Sequence, residues 1–205
     1  MTEQFDSAWW EERYRSHGVH HDASPTPALV AEVADLTPGT ALDAGCGEGA
    51  DAVWLAARGW RVTAVDISAT ALGTARARAD AAGVTGRIDW MHADLAEWTP
   101  EDRFDLVTSS YVHPPGSTAD LVGRLAVAAA PGGTLLVVGH QHPEHPTSDS
   151  HGPIAESQVA VDDLAAVLAP AQWEIVVSEV RNRTAVHDGH PVELADAILR
   201  ARRRP

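Results

Sequence analysis

The chain has 205 residues, with 15 basic against 29 acidic side chains, a formal net charge of −14 and 44% apolar residues. That length suits one globular domain with a single core of six or seven strands, and a surface of this sign repels nucleic-acid backbones. The one cysteine, Cys46, excludes an intrachain disulfide and a multi-thiolate metal site; with a polar start (Glu3, Gln4, Asp6) and no apolar run of about 20 residues, the expectation is a cytoplasmic protein without a signal peptide or membrane span.

Residues 1–6 are expected to fray. Ser7 to Ser16 is predicted helical, with Ser7 as cap and Glu11 and Glu12 in the first turns. Trp9, Trp10, Arg13 and Tyr14 fall close together on that helix. They have two compatible uses: docking the helix on the body, or forming an aromatic lid over a site. A His-, Ser- and Pro-rich loop containing His20 and His21 leads to a second helix, Thr26 to Leu36, capped by Thr26 with Pro27 at its first position and stopped by Pro38-Gly39. The expected division is a helical cap over 1–37 and a core over 38–205, in a single domain.

The core opens with a strand over 40–44, a turn through Gly45, Gly47 and Gly49, and a helix from Ala50 to Ala57. A second strand, Arg61 to Val65, ends at Asp66. Ser68 caps a helix to about Ala82, which Gly83 terminates. The third strand, Arg87 to Met91, leads to Asp94, and the fourth, Phe104 to Ser109, leads to Tyr111 and His113. A helix from Ser117 to Ala130 precedes the Pro131-Gly132-Gly133 turn and a fifth strand, Thr134 to Gly139. The polar stretch from His140 to Ser157 is too long for a neutral connection and reads as a functional loop. A helix from Val161 to Leu168 and two strands, Trp173 to Arg181 and Val192 to Arg202, complete the chain, with Asp188-Gly189 as their hairpin turn. The fold class is α/β: a Rossmann-like, mostly parallel seven-stranded sheet with a C-terminal antiparallel hairpin and helices on both faces.

The chemistry centres on Asp43-Ala44-Gly45-Cys46-Gly47-Glu48-Gly49. Glycines let the backbone approach a ligand where a Cβ would clash, and the following helix N-terminus offers unpaired N–H groups. Asp66, 23 residues after Asp43, stands where an acid can accept hydrogen bonds from both ribose hydroxyls. An NAD site shares that outline. Two details count against it: GxGxxG is met only in a relaxed form with Ala50 last, and Asp43 would repel a pyrophosphate. Asp43 would instead suit an ammonium, and S-adenosylmethionine carries an ammonium, a sulfonium and a ribose. Asp43, Asp66 and Asp94 all fall at carboxyl ends of successive strands, where α/β sheets bind ligands, so they point to one pocket.

With those residues in place, the chain resembles the class I S-adenosylmethionine-dependent methyltransferases over about residues 7 to 202. Residues 41–49 look like the first motif of that superfamily, Val65-Asp66-Ile67-Ser68 like its ribose-binding motif, and Pro131-Gly132-Gly133-Thr134-Leu135 like the turn before its fifth strand. Within it, the chain is similar to the small tellurite-resistance (TehB-like) and thiopurine methyltransferase-type branch. The resemblance implies that Gly45, Cys46 and Gly47 hold the methionine part of the cofactor and that Asp43 serves its ammonium. Asp66 would take the ribose and Asp94 the adenine amino group, with Ile67 and Leu95 packing on the ring and Ser109 also on the cofactor side. Cys46 itself reads as a small packing residue.

Methyl transfer is an in-line displacement that needs positioning, and a base only for a protonated nucleophile. The candidate catalytic residues are His113, Tyr111 and His140; Trp9, Trp10, Tyr14 and His21 are candidates for the substrate lid. His140, His142, His145 and His151 include a chelating His-x-His spacing, but loop histidines are usually solvated and no metal site is expected. The expected activity is methyl transfer to a small-molecule acceptor, with a soft nucleophile (thiol, selenium or tellurium species) ahead of oxygen or nitrogen. The rivals are an NAD-dependent oxidoreductase, disfavoured by Asp43, and a non-catalytic cofactor-binding or partner protein, disfavoured by the intact loop, Asp66 and Asp94. No nucleic-acid or membrane partner is expected.

Overall fold

A computed structural model describes residues 5–17, 24–114, 116–141, 160–187 and 190–205. Seven strands form one sheet: β1 (Thr40–Ala44), β2 (Arg61–Asp66), β3 (Ile88–His92), β4 (Phe104–Ser110), β5 (Ala129–Gln141), β6 (Trp173–His187) and β7 (His190–Arg203), in the order β3-β2-β1-β4-β5-β7-β6. The first five pair in parallel, and β7 runs antiparallel between β5 and β6. The central strands are short apolar runs because both faces are covered. Leu42, Val107, Leu135 and Val137 face one apolar cluster, built with α5 (Thr118–Ala128) and α6 (Val161–Ala166). Their neighbours Ala41, Leu106, Leu136 and Val138 face the other, built with α2 (Pro27–Val33), α3 (Ala50–Ala57) and α4 (Ala69–Ala81). No helix among the described residues is long and apolar enough to cross a membrane.

Local chemistry sets most boundaries. Ser68 Oγ accepts from the Ala71 N–H (3.2 Å) to start α4, and Ser117 Oγ accepts from Ala119 N–H (3.1 Å) to start α5. Several ends differ from expectation. In α1 (Ser7–His17) the cap is Asp6, whose Oδ1 accepts from Trp9 N–H at 2.7 Å, so Ser7 is already helical. Thr26 caps α2 by position but its side chain accepts no capping hydrogen bond from the helix; its N–H and its side chain both bond Asp51, the N–H to Oδ1 at 2.6 Å.

The end of α5 and the start of β5 also shift. The helix stops at Ala128, and Ala129 already pairs with Phe104, while Thr134 pairs with Leu106. Residues 130–133 therefore bulge opposite a single β4 residue. A Cβ on Gly133 would stand 2.9 Å from the Phe104 carbonyl oxygen, which only glycine permits. The C-terminal hairpin is longer than expected, because its pairing runs out to His187↔His190 while β5 stops pairing with β7 at Gln141↔Ala195. Asp188-Gly189 and the histidine-rich stretch after Gln141, including His142, His145 and His151, lie outside the described residues.

Candidate functional site

The strand order reverses at β1, which lies between β2 and β4, and the carboxyl ends of these strands open a crevice there. The N–H groups of Gly45 and Cys46 both donate to the Val65 carbonyl (2.8 and 3.0 Å), so the glycine turn is tied to β2. Gly45 has φ +79, and a Cβ there would lie 2.1 Å from Val112 Cγ2. Only glycine fits between the turn and the segment after β4.

Asp66 closes the same turn. Its Oδ2 accepts from Gly47 N–H (2.8 Å) and its Oδ1 from Ser68 N–H (2.9 Å). It borders the cavity while only 6% exposed; burial raises its pKa, and the backbone N–H groups oppose that rise. Asp43 lies deeper. It is 1% exposed, and its pKa is pushed well above the usual range by burial first, then by the charges of Asp51 and Asp66. Asp43 Oδ2 accepts no hydrogen bond among the described residues. Buried carboxylates crowded together accommodate a cationic ligand and disfavour a pyrophosphate.

One wall of the cavity is Gly45, Asp66, Ile67, Asp94, Leu95 and Ala96. Asp94 is shaped by its own turn, with Oδ1 accepting from Ala96 N–H at 2.8 Å. The other wall is Phe5, Trp10, Tyr14, Val112, His113 and Pro114, with Tyr111 at its back. The bare Cα of Gly45 and Asp66 beside apolar Ile67 and Leu95 fit an adenosyl ligand; Asp43, with its orphan oxygen, and Gly47 do not border the cavity.

Other candidates fall elsewhere. Ser109 pairs with Val137 inside the sheet, is 2% exposed and does not border the cavity. Cys46 also stands off the cavity, packed with the cluster that contains Ala52 and Leu55; burial pushes its thiol pKa up. Trp9 sits behind the wall, edge-on to Trp10 at 4.8 Å. His140 lies behind His113, its ring 6.1 Å away, and His21 is outside the described residues. The expectation that residues 1–6 fray fails at Phe5, whose ring stacks on His113 at 5.7 Å and on Trp10 at 6.2 Å. No local pattern marks an isolated Phe near a terminus as a wall residue.

His113 is 6% exposed, sandwiched among Phe5, Trp10 and His140. Its pKa is lowered to about 4, mainly by burial and then by the charges of His140 and Arg13. At neutral pH it is an uncharged imidazole.

Glu11 is the residue that sequence reasoning passed over. Its Oε1 accepts from Thr70 Oγ1 (2.5 Å), and its Oε2 from Ser68 Oγ (2.7 Å) and Thr70 N–H (3.2 Å). It thereby latches α1, which carries Trp10 and Tyr14, to the start of α4 beside Asp66. The Thr70 and Ser68 hydroxyls pull its pKa from 4.5 down to about 2. A folded value below the unfolded one means the latch stabilises fully above pH 4.5 and is lost as pH falls toward about 2. Glu11→Ala is expected to cost about 1 kcal/mol at pH 7, below the roughly 1.5–3 kcal/mol of a buried charge-assisted bond because solvent screens this partly exposed side chain. In urea melts the gap to wild type should shrink as pH falls below 4.5 and close only toward about pH 2; a gap equally large at that pH would sink the latch.

Residues 41–133 match the family described as "Methyltransferase domain". The probable thiol methyltransferase 2 of Arabidopsis thaliana is 30% identical over 192 residues, covering 91% of this chain and 82% of the relative. The trans-aconitate 2-methyltransferase of Paracidovorax citrulli (strain AAC00-1) is 34% identical over 151 residues, 70% of this chain; that match spans 56% of the relative's own length. A solved structure described for the conversion of a disulfide bond into a thioacetal group during echinomycin biosynthesis superposes with a TM-score of 0.67 at 26% identity, covering 97% of this chain and 91% of that one. A relative aligned along most of both chains, on this strand order and around this glycine turn, makes the conclusion plain: the chain belongs to the class I S-adenosylmethionine-dependent methyltransferases.

Proposed function

We propose that the chain methylates a small, uncharged acceptor carrying a soft nucleophile, a thiol first, in the cavity between α1 and the end of β4. The observation that carries this reading is the charge of the acceptor wall. Phe5, Trp10, Tyr14, Val112, His113 and Pro114 include no Lys or Arg, and the cavity's only charged lining residues among those described are Asp66 and Asp94. Arg13 stands outside that lining, 5.5 Å over the Trp9 ring. A polycarboxylate acceptor entering such a site would lose its hydration without a cation to replace it. An apolar thiol gains from the same wall by burying apolar area.

Bound S-adenosylmethionine supplies a methyl carbon on a sulfonium leaving group, so the protein's tasks are holding, aligning and, for a protonated acceptor, removing a proton. In this reading Asp66 holds the ribose hydroxyls, Asp94 the adenine amino group and Asp43 the ammonium. Gly45 and Gly47 give backbone access. Trp10, Phe5 and Tyr14 exclude water above the acceptor. His113, neutral through burial, accepts the acceptor's S–H proton on a ring nitrogen as sulfur bonds to the methyl carbon. The purified protein should methylate aliphatic and aromatic thiols with labelled cofactor, and transfer little label to di- and tricarboxylates. Faster turnover of a polycarboxylate than of any thiol overturns the acceptor class; no transfer to any acceptor overturns the activity.

A further inference from the structure

We propose that Tyr111, Asp196 and Arg183 form a positioning unit that fixes the turn after β4 and so sets the place of His113 in the cavity. The proposal rests on the reading that the cavity is the methyl-transfer site. Tyr111 is a non-glycine residue in the left-handed region, with φ +55. That conformation is disfavoured for a residue that carries a Cβ and persists only where surroundings impose it. The surroundings are two strands from the far end of the chain. The Tyr111 hydroxyl donates to Asp196 Oδ2 on β7 (2.9 Å) and accepts from Arg183 Nη2 on β6 (3.3 Å), while Arg183 Nε donates to the same Asp196 oxygen (2.6 Å).

Asp196 is 2% exposed, and its Oδ1 has no hydrogen-bond partner among the described residues. A buried ion pair with an unsatisfied oxygen adds little to stability, so its use is geometric. The geometry follows directly. With the hydroxyl anchored and Tyr111 N–H bonded to the Val138 carbonyl (2.8 Å), the Tyr111 ring stacks on His140 at 4.3 Å. His140 stacks in turn on His113 at 6.1 Å, and the next residue after Tyr111, Val112, is set against Gly45. His113 thus meets His140 from β5, Arg13, Phe5 and Trp10 from the N-terminal side, and the anchored Tyr111 from its own turn.

The test uses two variants of the full chain: Tyr111→Phe, which keeps the ring and removes the anchor, and Asp196→Asn, which keeps the shape and removes the charge. The first readout is the NMR titration of the His113 imidazole in nitrogen-15 histidine-labelled protein. In wild type His113 should titrate at about 4. With the anchor removed in Tyr111→Phe and weakened by loss of charge in Asp196→Asn, the ring gains access to water, and its titration should move toward the ordinary value of about 6.5, by about one unit in the first variant and by less in the second. The second readout is kinetic: kcat should fall about tenfold with acceptor KM within about twofold, as misplacement of a reacting group predicts. A merely structural role would lower thermal stability and leave both the titration and the kcat-to-KM split where they are, and that result overturns the proposal. If wild type turns over no acceptor, the functional reading fails while the titration still decides this one.

Discussion

Asp66→Ala is expected to weaken S-adenosylmethionine binding by about 100-fold or more in calorimetric titration, the largest loss among the cavity's side chains. Two costs combine. The carboxylate would lose its ribose hydroxyls, each charge-assisted bond being worth about 1.5–3 kcal/mol. It would also release the Gly47 and Ser68 N–H groups it now holds at 2.8 and 2.9 Å, so the glycine turn loses the group that fixes its shape. Asp66→Asn separates the two: an amide oxygen still accepts from one N–H, so the turn is partly kept while the charge is lost. Intermediate weakening by the amide variant is the expected order. An alanine variant that binds within about threefold of wild type would remove Asp66 from the cofactor site.

His113→Ala is expected to lower kcat for a thiol acceptor by about 100-fold at pH 6 and by much less at pH 9. The sign follows from the buried imidazole. Its pKa of about 4 keeps it in the proton-accepting form at every pH above that value. Wild-type rates with saturating cofactor should therefore stay nearly level from pH 6 to 8. Without the base, transfer depends on thiol already ionised in solution, which rises tenfold per pH unit up to its pKa of about 8.5. The variant should thus follow a line of unit slope and approach wild type near that pH. A wild-type profile that itself rises with unit slope across pH 6 to 8 would show that no base acts, leaving His113 as a wall.

The parts of this protein that were legible in its sequence are those whose physics is local. The strand, glycine turn and helix over Thr40–Ala57 lie within one stretch, and Ser68 and Ser117 cap helices three residues or fewer away. The strand ends at Asp66 and the approach to Asp94 follow from apolar periodicity, and with β1 they imply one crevice because parallel strands align their carboxyl ends. The apolar runs also imply a sheet covered on both faces.

What the tertiary structure alone decided depends on partners distant along the chain. Asp196 is 85 residues from Tyr111, and Glu11 is 57 from Ser68. No pattern in either neighbourhood announces the other, since a Glu on a helix or an Asp in a strand has many ordinary uses. The same holds for Phe5 on His113, for Ser109 turned into the sheet, and for the bulge at residues 130–133, where strand pairing overrode the helix and turn reading. Sequence by itself determined the sheet and the glycine turn that Asp66 closes, because short-range hydrogen bonding and burial pattern specify them. The cavity wall of Phe5, Trp10, Tyr14 and His113, with its neutral histidine and hydrogen-bonded Tyr111, was decided only when folding brought α1, the end of β4 and the C-terminal hairpin to one place, since burial and ring packing there are properties of the assembled surfaces.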